Sequence, residues 1–286
     1  MKQIMKQIVK KIVAKVFRFM TRIGVFKPSK VILIDGGVCS QILQYYQGVV
    51  HNPDYQAEFD MFFWDKNHNG IDGLGNENRP FELLTIFPQL PFIRCDKKKA
   101  AFYRKYMQTN MLSLPPIYEN NYRLYGCSLV DLHTIFNKEF AVLPDNKMHL
   151  IGEIQKNHSC GIHIRRGDLA NNDNPYYGVF SEEYLIEAMD YVKRIDDEVK
   201  FYAFSDDLVW VKTVFMEKCG YPIRMMEGNS GGEDLILLAN CMYIIASQGT
   251  AGRLAALIGG DGMLIMKEGD PHNAQYLEAH KNCVLL

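Results

Sequence analysis

The second half of the chain alternates short apolar runs with amphipathic segments, and this pattern limits the possible folds more than any other feature. Five apolar runs have the length of strands: residues 160–164, 199–204, 222–226, 242–246 and 263–266. Four segments between them have helical character: residues 181–195, 207–218, 233–240 and 250–258. This alternation predicts a parallel, doubly wound sheet with crossover helices. A sheet of that kind binds its ligands beyond the carboxyl ends of its strands.

The first half of the chain is less regular but begins in the same way. Residues 31–34 form an apolar run closed by Asp35-Gly36-Gly37, which predicts a buried strand that ends in a glycine turn. Helices are expected over residues 41–48, 97–112 and 129–140. The 286 residues allow one large domain or two of ordinary size.

Composition excludes several classes of protein. Hydrophobic residues make up 48% and charged residues 23%, as in soluble globular proteins, and no apolar run approaches the length of a membrane span. The net charge of −1 argues against a nucleic-acid partner. Seven widely spaced cysteines without a CxxC pair indicate neither a disulfide framework nor a zinc site, and they suit a reducing cytosol.

The N-terminal segment is strongly basic. Residues 1–30 hold nine lysines and arginines and no acidic residue. Over residues 8–23 the apolar side chains share one helical face and the basic ones the opposite face, which predicts an amphipathic helix. Such a helix either lies in an anionic membrane surface or docks on the protein's own body or a partner subunit. The favoured interpretation is that residues 1–27 bind an anionic membrane.

The motif most suited to chemistry follows the run at residues 160–164. It reads HIRRGD, so a strand delivers His163, Arg165, Arg166 and Asp168 to a glycine turn. The planar guanidinium matches a phosphate bidentately, and two of them could neutralise a diphosphate without a metal. The alternative is a salt-bridge cluster between Asp168 and one of the arginines.

A second polar segment lies between the strand at 242–246 and the next helix. Residues 247–250 are Ser-Gln-Gly-Thr, and backbone N–H groups at such a helix start suit an anion. The alternative is capping of that helix by Ser247 or Thr250. Asp234, further upstream, either binds a ligand or caps the helix that runs to Asn240.

Two acidic segments could indicate metals. Phe204-Ser205-Asp206-Asp207 resembles the Asp pair of a metal-dependent sugar transferase, but helix capping is the favoured interpretation because the two Asp are adjacent and precede a helix. Residues 65–76 begin like a calcium loop, but Asn76 stands where a bidentate Glu is required. No metal site is therefore predicted.

These motifs together resemble a known family. HIRRGD is similar to the HxRRxD motif of α-1,2- and α-1,6-fucosyltransferases. Further segments resemble glycosyltransferase family 11, the α-1,2-fucosyltransferases: residues 36–45 its GGLGNQMFQY, 79–83 its R-x-F-E-L, 204–212 its FSDD-x-x-W-x-K, and 234–246 the block before its NSTFSWWGA. The resemblance covers residues 31 to 270.

The resemblance implies an α/β, GT-B-like fold with two Rossmann-like domains whose parallel sheets face a central cleft. The expected organisation is a basic amphipathic helix over residues 1–28, an acceptor-side α/β domain over 29–155, and a domain over 156–286 that binds a GDP-sugar. The expected reaction moves fucose from GDP-fucose, with inversion, to the 2-hydroxyl of a galactose at the end of a glycan. No cofactor or metal is expected.

The resemblance also implies residue roles. Arg165 is expected on the β-phosphate with Arg166 in support. The general base is not assigned by the resemblance, and Asp168 and Asp35 are the candidates. His163 and Asp234 are expected near the guanine. The other residues expected to bind the donor come from two loops: Ser247, Gln248, Gly249 and Thr250 along the phosphates, and Gly36, Gly37, Ser40 and Gln41 in the first half.

The chain departs from the family pattern in three places. Cys39-Ser40-Gln41 replaces GNQ, Gly252-Arg253 replaces the Trp pair, and Gly126-Cys127-Ser128 lacks the aromatic residue of GYWQS. Two alternatives to fucosyl transfer therefore stay open: a GDP-sugar binding protein that has lost its chemistry, or a transferase for another nucleotide sugar. With its basic helix, the enzyme is expected in the cytoplasm, on the inner face of the membrane, with an acceptor that could be lipid-linked.

Overall fold

A computed structural model describes residues 2–64, 79–109, 113–119, 127–170 and 179–286. The strands are β1 (Lys30–Leu33), β2 (Ala57–Asp60), β3 (Ile117–Glu119), β4 (Ser159–Ile164), β5 (Lys200–Ser205), β6 (Ile223–Met225), β7 (Tyr243–Ala246), β8 (Met263–Met266) and β9 (Cys283–Leu285). The α-helices are α1 (Lys2–Arg22), α2 (Val38–Val50), α3 (Leu83–Ile86), α4 (Lys97–Tyr106), α5 (Leu132–Ile135), α6 (Asp145–Lys156), α7 (Gly167–Ala170), α8 (Glu182–Ile195), α9 (Leu208–Trp210), α10 (Met216–Cys219), α11 (Gly231–Ala239), α12 (Ala251–Gly259) and α13 (Ala274–Ala279). A π-helical stretch, Val211–Phe215, joins α9 to α10. The calcium-like segment 65–76 lies outside the described residues.

The chain forms two compact units. The first unit comprises Met1–Leu84 and Gln89–Cys127, and the second comprises Thr85–Pro88 and Ser128–Leu286. The sequence predicts a boundary after residue 155, whereas segment 128–155 belongs to the second unit. The reason is packing within that unit: on α6, Gln155 donates to Asn240 at 2.7 Å, and Phe87 lies 5.1 Å from Phe136, ring to ring.

The first unit contains a three-stranded parallel sheet in the order β2-β1-β3. The apolar run at residues 31–34 forms its central strand, as predicted, because the run can be buried on both faces. Lys30, at the start of β1, is fully buried and donates to three carbonyl oxygens at the end of α2, those of Gly48, His51 and Asn52. Burial lowers the pKa of Lys30 to about 8.

The carboxyl end of β2 carries an ion pair that belongs to the interior of the first unit. The buried carboxylate of Asp60 accepts from Arg104 Nη2 at 2.9 Å and from the Tyr118 hydroxyl at 2.9 Å. The Arg104 guanidinium also lies over the ring of Phe62, 3.5 Å from its centroid. These contacts fasten α4 to the edge of the sheet.

The second unit contains a six-stranded parallel sheet in the order β6-β5-β4-β7-β8-β9. The chain moves outward from β4 through β5 to β6, and then returns to the other side of β4 with β7. The five predicted strands and the parallel, doubly wound sheet are confirmed. Strand β9 is not predicted, because it has only three residues and none of them is fully buried.

Helices cover both faces of this sheet because successive strand residues point to opposite sides. On one face, Cys160, Ile162 and Ile164 pack in a core cluster with α8 residues such as Leu185. On the other face, a Cβ added at Gly161 would lie 2.3 Å from Leu238 Cδ1, so β4 and α11 are in close contact there. The sheet is therefore buried on both sides, as its near-continuous apolar strands require.

Helix α1 docks on the first unit by a narrow stripe. Phe17 packs against Phe102 and Tyr103 of α4, with ring centroids 5.0 and 5.9 Å apart, and Ala14 is the one residue of the helix that is buried. The wider apolar face remains exposed, with Ile8, Ile12, Phe19 and Ile23 all more than half accessible. Within the part of the chain that the structure describes, no helix combines the length and the apolar character that a membrane crossing needs.

Candidate active site

Two loops meet where the strand order reverses, between β4 and β7. We call residues 163–168 and 247–250 the switch-point loops. Ser247 N donates to the His163 carbonyl at 3.1 Å, and Arg165 N donates to Ser247 Oγ at 2.9 Å. Gln248 Nε2 donates to the Arg165 carbonyl at 3.0 Å. These hydrogen bonds join the two predicted motifs into one structure at the position where doubly wound sheets bind ligands.

The arginine pair stands on this edge with its guanidinium groups partly accessible. The side chains of Arg165 and Arg166 are 24% and 20% exposed. Arg165 forms an ion pair with Asp206, and Arg166 Nε lies 3.4 Å from Asp207 Oδ2. Both arginines therefore offer charge to the solvent side while carboxylates of the neighbouring β5 loop hold them in place.

The ion pairs include partners that the sequence does not predict. The described partners of the arginines are Asp206 and Asp207. The alternative of an ion pair with Asp168 stays a prediction, because the side chain of Asp168 lies outside the described residues. The Arg166 guanidinium also lies over the ring of Trp210, with 3.8 Å from its central carbon to the centroid. Sequence reasoning could not find these partners, because they lie about 40 residues away on another strand.

The Asp pair serves the local fold. Asp206 Oδ1 accepts from the backbone N–H groups of Arg166 at 2.8 Å and Gly167 at 3.0 Å, so it holds the turn after β4. Asp207 Oδ1 accepts from Trp210 N at 3.1 Å and caps α9, as the sequence predicts. Among the described residues, no group of three or more His, Cys, Asp or Glu side chains could hold a metal ion.

His163 is neutral in this site. Desolvation by the surrounding protein lowers the pKa of His163 to about 3, and the charges of Arg165 and Arg253 act in the same direction. Its Nδ1 lies 3.3 Å from Ser247 Oγ. The positive charge available to an anion therefore comes from the arginines and not from the imidazole.

The four residues 247–250 divide into two pairs. Ser247 and Gln248 are buried, and Gln248 Oε1 also accepts from Phe180 N at 2.8 Å, so these two hold the loops together. Gly249 is exposed and has a φ of +90°, which favours glycine. Thr250 is partly exposed at the N-cap of α12, and its side chain makes no capping hydrogen bond. Capping by Ser247 or Thr250 is therefore not observed.

The structure adds a residue that sequence reasoning missed. Arg253 of α12 is 1% exposed and donates through Nη1 to the carbonyl oxygens of Ser247 and Gly249, at 3.1 and 2.6 Å. It is anchored by an ion pair with Asp270 and by Nε to Asn273 Oδ1 at 3.1 Å. A single charged residue within an otherwise apolar helix was the signal that could have found it.

Gly252, one of the two residues that replace the family's Trp pair, lies in a tightly packed position. A Cβ at Gly252 would lie 2.9 Å from Ala246 Cβ and 3.2 Å from His163 Cβ. The start of α12 therefore packs directly on the ends of β4 and β7, and this position has no room for a side chain.

Asp234 lies in the first turn of α11. The N-cap of that helix is Ser230, which forms a capping box with Glu233, so the prediction that Asp234 caps it is wrong. Asp234 Oδ1 accepts from Asn229 Nδ2 at 2.7 Å, and Asn229 in turn binds the buried Lys147 of α6. The carboxylate thus has a fixed orientation near the carboxyl end of β6.

The predicted donor residues of the first unit occupy the turn after β1. Gly36 has a φ of +69°, and Gly37 is the N-cap of α2. Ser40 is partly exposed on the first turn of that helix. The general-base candidate Asp35 accepts a hydrogen bond from the side chain of Gln44 and is half-buried.

Gln41 differs from its prediction as a donor-binding residue. It is fully buried, and its amide nitrogen donates to the carbonyls of Gly36 and Pro80 at 3.0 and 2.9 Å. Its amide oxygen accepts from the N–H groups of Glu82 and Leu83, both at 3.0 Å. Its hydrogen-bonding groups are used within the fold, so Gln41 connects the turn to the RPFEL segment instead of facing a ligand.

Comparisons with known proteins agree with this geometry. The family model "Glycosyl transferase family 11" matches residues 108–283, more than half of the chain. The chain therefore belongs to glycosyl transferase family 11. It is also 32% identical over 96 residues to the alpha-1,2-colitosyltransferase of Escherichia coli, a match that spans 32% of this chain and 33% of that relative.

Solved structures show the same fold at low sequence identity. The alpha-1,6-fucosyltransferase NodZ, in a crystal soaked with GDP-fucose, matches 85% of this chain and 96% of its own at 13% identity, with a TM-score of 0.51. A glycosyl transferase of family 9 from Veillonella parvula matches 91% of this chain and 86% of its own at 10% identity, with a TM-score of 0.50. The α/β, GT-B-like fold with two parallel sheets is therefore confirmed.

Proposed function

We propose that this chain transfers fucose from GDP-fucose, with inversion, to the 2-hydroxyl of a galactose in a surface glycan. The observation that carries the proposal is the reversal of strand order at β4 and β7, where Arg165, Arg166, Gly249 and Thr250 are accessible together. Membership of glycosyl transferase family 11 supports the reaction class.

The charge of the site fits a departing diphosphate. As the bond to the sugar breaks, negative charge grows on the leaving phosphate, and a guanidinium held there stabilises the transition state more than the ground state. Without a nucleotide, Asp206 and Asp207 compensate the two arginines. In this proposal the diphosphate takes over part of that role, so no metal ion is needed to neutralise it.

The chemical step is a single displacement at the anomeric carbon. The galactose 2-hydroxyl oxygen forms a bond to C1 of fucose while the bond from C1 to the β-phosphate oxygen breaks, and GDP leaves. The hydroxyl proton passes to a carboxylate, with Asp168 and Asp35 as the candidates. Asp35 is the one whose side chain the structure describes, and the amide of Gln44 fixes its orientation.

A second donor sugar has a specific observation in its favour. The curated relative that shares 32% identity is an alpha-1,2-colitosyltransferase, so a colitosyl donor is the first alternative to a fucosyl donor. The departures at Cys39-Ser40 and Gly252-Arg253 also favour testing whether the chain binds a GDP-sugar without transferring it, or uses another nucleotide sugar. In the alternatives that transfer a sugar the arginine pair keeps the role proposed above, whereas in a binding protein it would only hold the diphosphate.

A thermal-shift experiment tests the donor site. Wild type and Arg165→Ala are heated with GDP, GDP-fucose or UDP in the presence of EDTA, because a ligand that binds only the folded state raises the Tm. We expect GDP and GDP-fucose to stabilise wild type and the variant to lose the effect. No stabilisation of wild type by millimolar GDP, or preference for UDP, would overturn the proposal.

We also propose that α1 holds the enzyme on an anionic membrane surface. The narrow stripe around Phe17 is used for docking on α4, yet the exposed apolar face remains. Four exposed basic residues lie beside that face: Lys11, Lys15, Arg18 and Arg22. An apolar face flanked by cations is the pattern of a helix that lies in the interface of an anionic bilayer, where a lipid-linked acceptor would be within reach.

Vesicle sedimentation tests this part of the proposal. Full-length protein should sediment with vesicles that contain phosphatidylglycerol and much less with neutral phosphatidylcholine vesicles. Phe19→Glu changes the exposed face and should abolish binding, whereas Thr21→Ser, on the docked side, is the matched control. The membrane role fails if the protein stays in solution, or if deletion of residues 1–27 leaves vesicle binding unchanged.

A further inference from the structure

The buried Arg253 has no place in the chemistry proposed above, although it touches one of the switch-point loops. Its guanidinium is enclosed and cannot reach a ligand directly. It instead donates hydrogen bonds to two carbonyl oxygens of the loop, those of Ser247 and Gly249. A buried arginine on backbone carbonyls, in a helix that is otherwise apolar, calls for a physical explanation.

The orientation of the peptide groups supplies that explanation. In a trans peptide the C=O and the following N–H point in opposite directions. Because the Gly249 carbonyl points inward to Arg253, the N–H of Thr250 points outward, away from the guanidinium. The same holds for the Ser247 carbonyl and the N–H of Gln248. Arg253 therefore holds both carbonyl oxygens on its own side of the loop, and at the accessible Gly249-Thr250 peptide the N–H lies on the opposite side.

The loop is also adjacent to the arginine pair. A Cβ built at Gly249 would lie 3.8 Å from Arg165 Cγ, so the loop and the proposed phosphate-binding side chain are adjacent. Adjacent N–H groups and a guanidinium form a surface suited to phosphate oxygens.

We infer that Arg253 is a positioning residue for the diphosphate of the donor: it holds the 247–250 loop with its carbonyls inward so that backbone N–H groups face the phosphates. Asp270 and Asn273 fix the guanidinium from the far side, Asn273 accepting from Nε and Nη2 at 3.1 and 3.0 Å. In this chain, a buried cation thus supports the loop where the family pattern has a Trp pair. The inference rests on the proposed GDP-sugar site.

The test compares two ligands that differ only in the diphosphate. GDP affinity is measured by isothermal titration calorimetry and guanosine affinity by NMR titration, both on the full chain. In Arg253→Met, GDP should bind about ten-fold more weakly, the scale of one lost hydrogen bond to a charged group, while guanosine binding stays within about two-fold. Asp270→Asn keeps the guanidinium but loosens its anchor, and should give a smaller loss with the same selectivity; it also keeps the test valid if Arg253→Met does not fold.

Arg104→Met is the matched control. It breaks the ion pair with Asp60 in the first unit, so it should lower stability without changing the ratio of the GDP and guanosine affinities. The inference is overturned if wild type binds GDP but folded Arg253 and Asp270 variants keep that ratio, or if both ligands weaken in parallel. If wild type binds no GDP, the proposed function fails and the inference fails with it.

Discussion

The two parallel sheets each carry a polar loop at the carboxyl end of a central strand, and the two loops use their polar groups in opposite ways. In the first unit, the turn after β1 is tied inward: Gln41 is buried with its amide groups bonded to protein, and Gln44 holds Asp35. In the second unit, the switch-point loops present Arg165, Arg166 and Thr250 on the accessible side.

The difference shows that a match to a family motif does not by itself indicate contact with a ligand. Gln41 matches the family's glutamine, yet its contacts explain its presence through the fold alone. Arg165 matches equally well, yet its local fold does not require an exposed guanidinium, because the turn after β4 is held by Asp206 and by Ser247. The first unit's loop is thus expected to affect stability and the second unit's loop to affect ligand binding.

The largest effect is expected for Arg165→Ala. Loss of a guanidinium aimed at the leaving diphosphate should cost about 3 kcal/mol of transition-state stabilisation, more than 100-fold in kcat/KM. The variant should keep its Tm without ligand, since the ion pair with Asp206 is partly exposed. Steady-state kinetics with GDP-fucose measure it, and near-normal turnover would remove the role assigned to Arg165.

Gln41→Ala should lower stability and leave ligand binding unchanged, the reverse of the result expected for Arg165→Ala. It leaves the N–H groups of Glu82 and Leu83 without their acceptor, so we expect a loss of about 2 kcal/mol in the free energy of unfolding. The GDP affinity of the folded fraction should be unchanged. Urea unfolding and calorimetry measure the two quantities. Weaker GDP binding at unaltered stability would instead support the prediction that Gln41 binds the donor.

Acid should destabilise the second unit through His163. The pKa of His163 is lowered to about 3 in the folded state, against about 6.5 in the unfolded chain, so the unfolded state binds more protons between these values. Stability should therefore fall as the pH drops below 6.5, by at most about 2 kcal/mol at pH 5. In Trp64→Phe, the fluorescence of Trp210 follows the unfolding. Adding His163→Gln should reduce the dependence of the free energy of unfolding on pH. An unchanged slope would mean that other groups cause the acid sensitivity.

A smaller effect in the same direction, at higher pH, is expected from Lys30 in the first unit. Its pKa of about 8 lies below the usual value for lysine, so the unfolded state again binds more protons, and stability should rise as the pH increases from 8 to 9.5. We expect about 1.6 kcal/mol over this range. With Trp210→Phe, Trp64 is the reporter, and Lys30→Met should abolish the rise. A rise that persists in this variant would exclude Lys30 as its source.

The fold of the second unit could be predicted from sequence because its strands are short apolar runs separated by helices of ordinary length. The same reasoning predicts one helix over residues 207–218, where the structure has α9, a π-helical stretch and α10. Strand β9 is not predicted because two half-buried residues and an exposed one give no periodic signal.

The site was predicted only where residue type alone carries the information. Adjacent arginines after a strand indicate an anion without knowledge of their partners. The partners themselves depend on contacts distant in sequence: Gln41 reaches Glu82 and Leu83, and Arg253 reaches Asp270. Such pairs are set by the packing of elements, which composition and periodicity do not contain.

The division of the chain has a consequence for recombining this enzyme with its relatives. Thr85–Pro88 belongs to the second unit although residues on both sides of it belong to the first. A fragment that starts at residue 128 would lack Phe87, which is fully buried, and the Ile86 carbonyl that accepts from Val142 N at 2.8 Å. A chimaera with a single crossover would combine the C-terminal segment of one parent with the tetrapeptide of the other, so an exchange that keeps these contacts needs two grafts, the tetrapeptide and the C-terminal segment together.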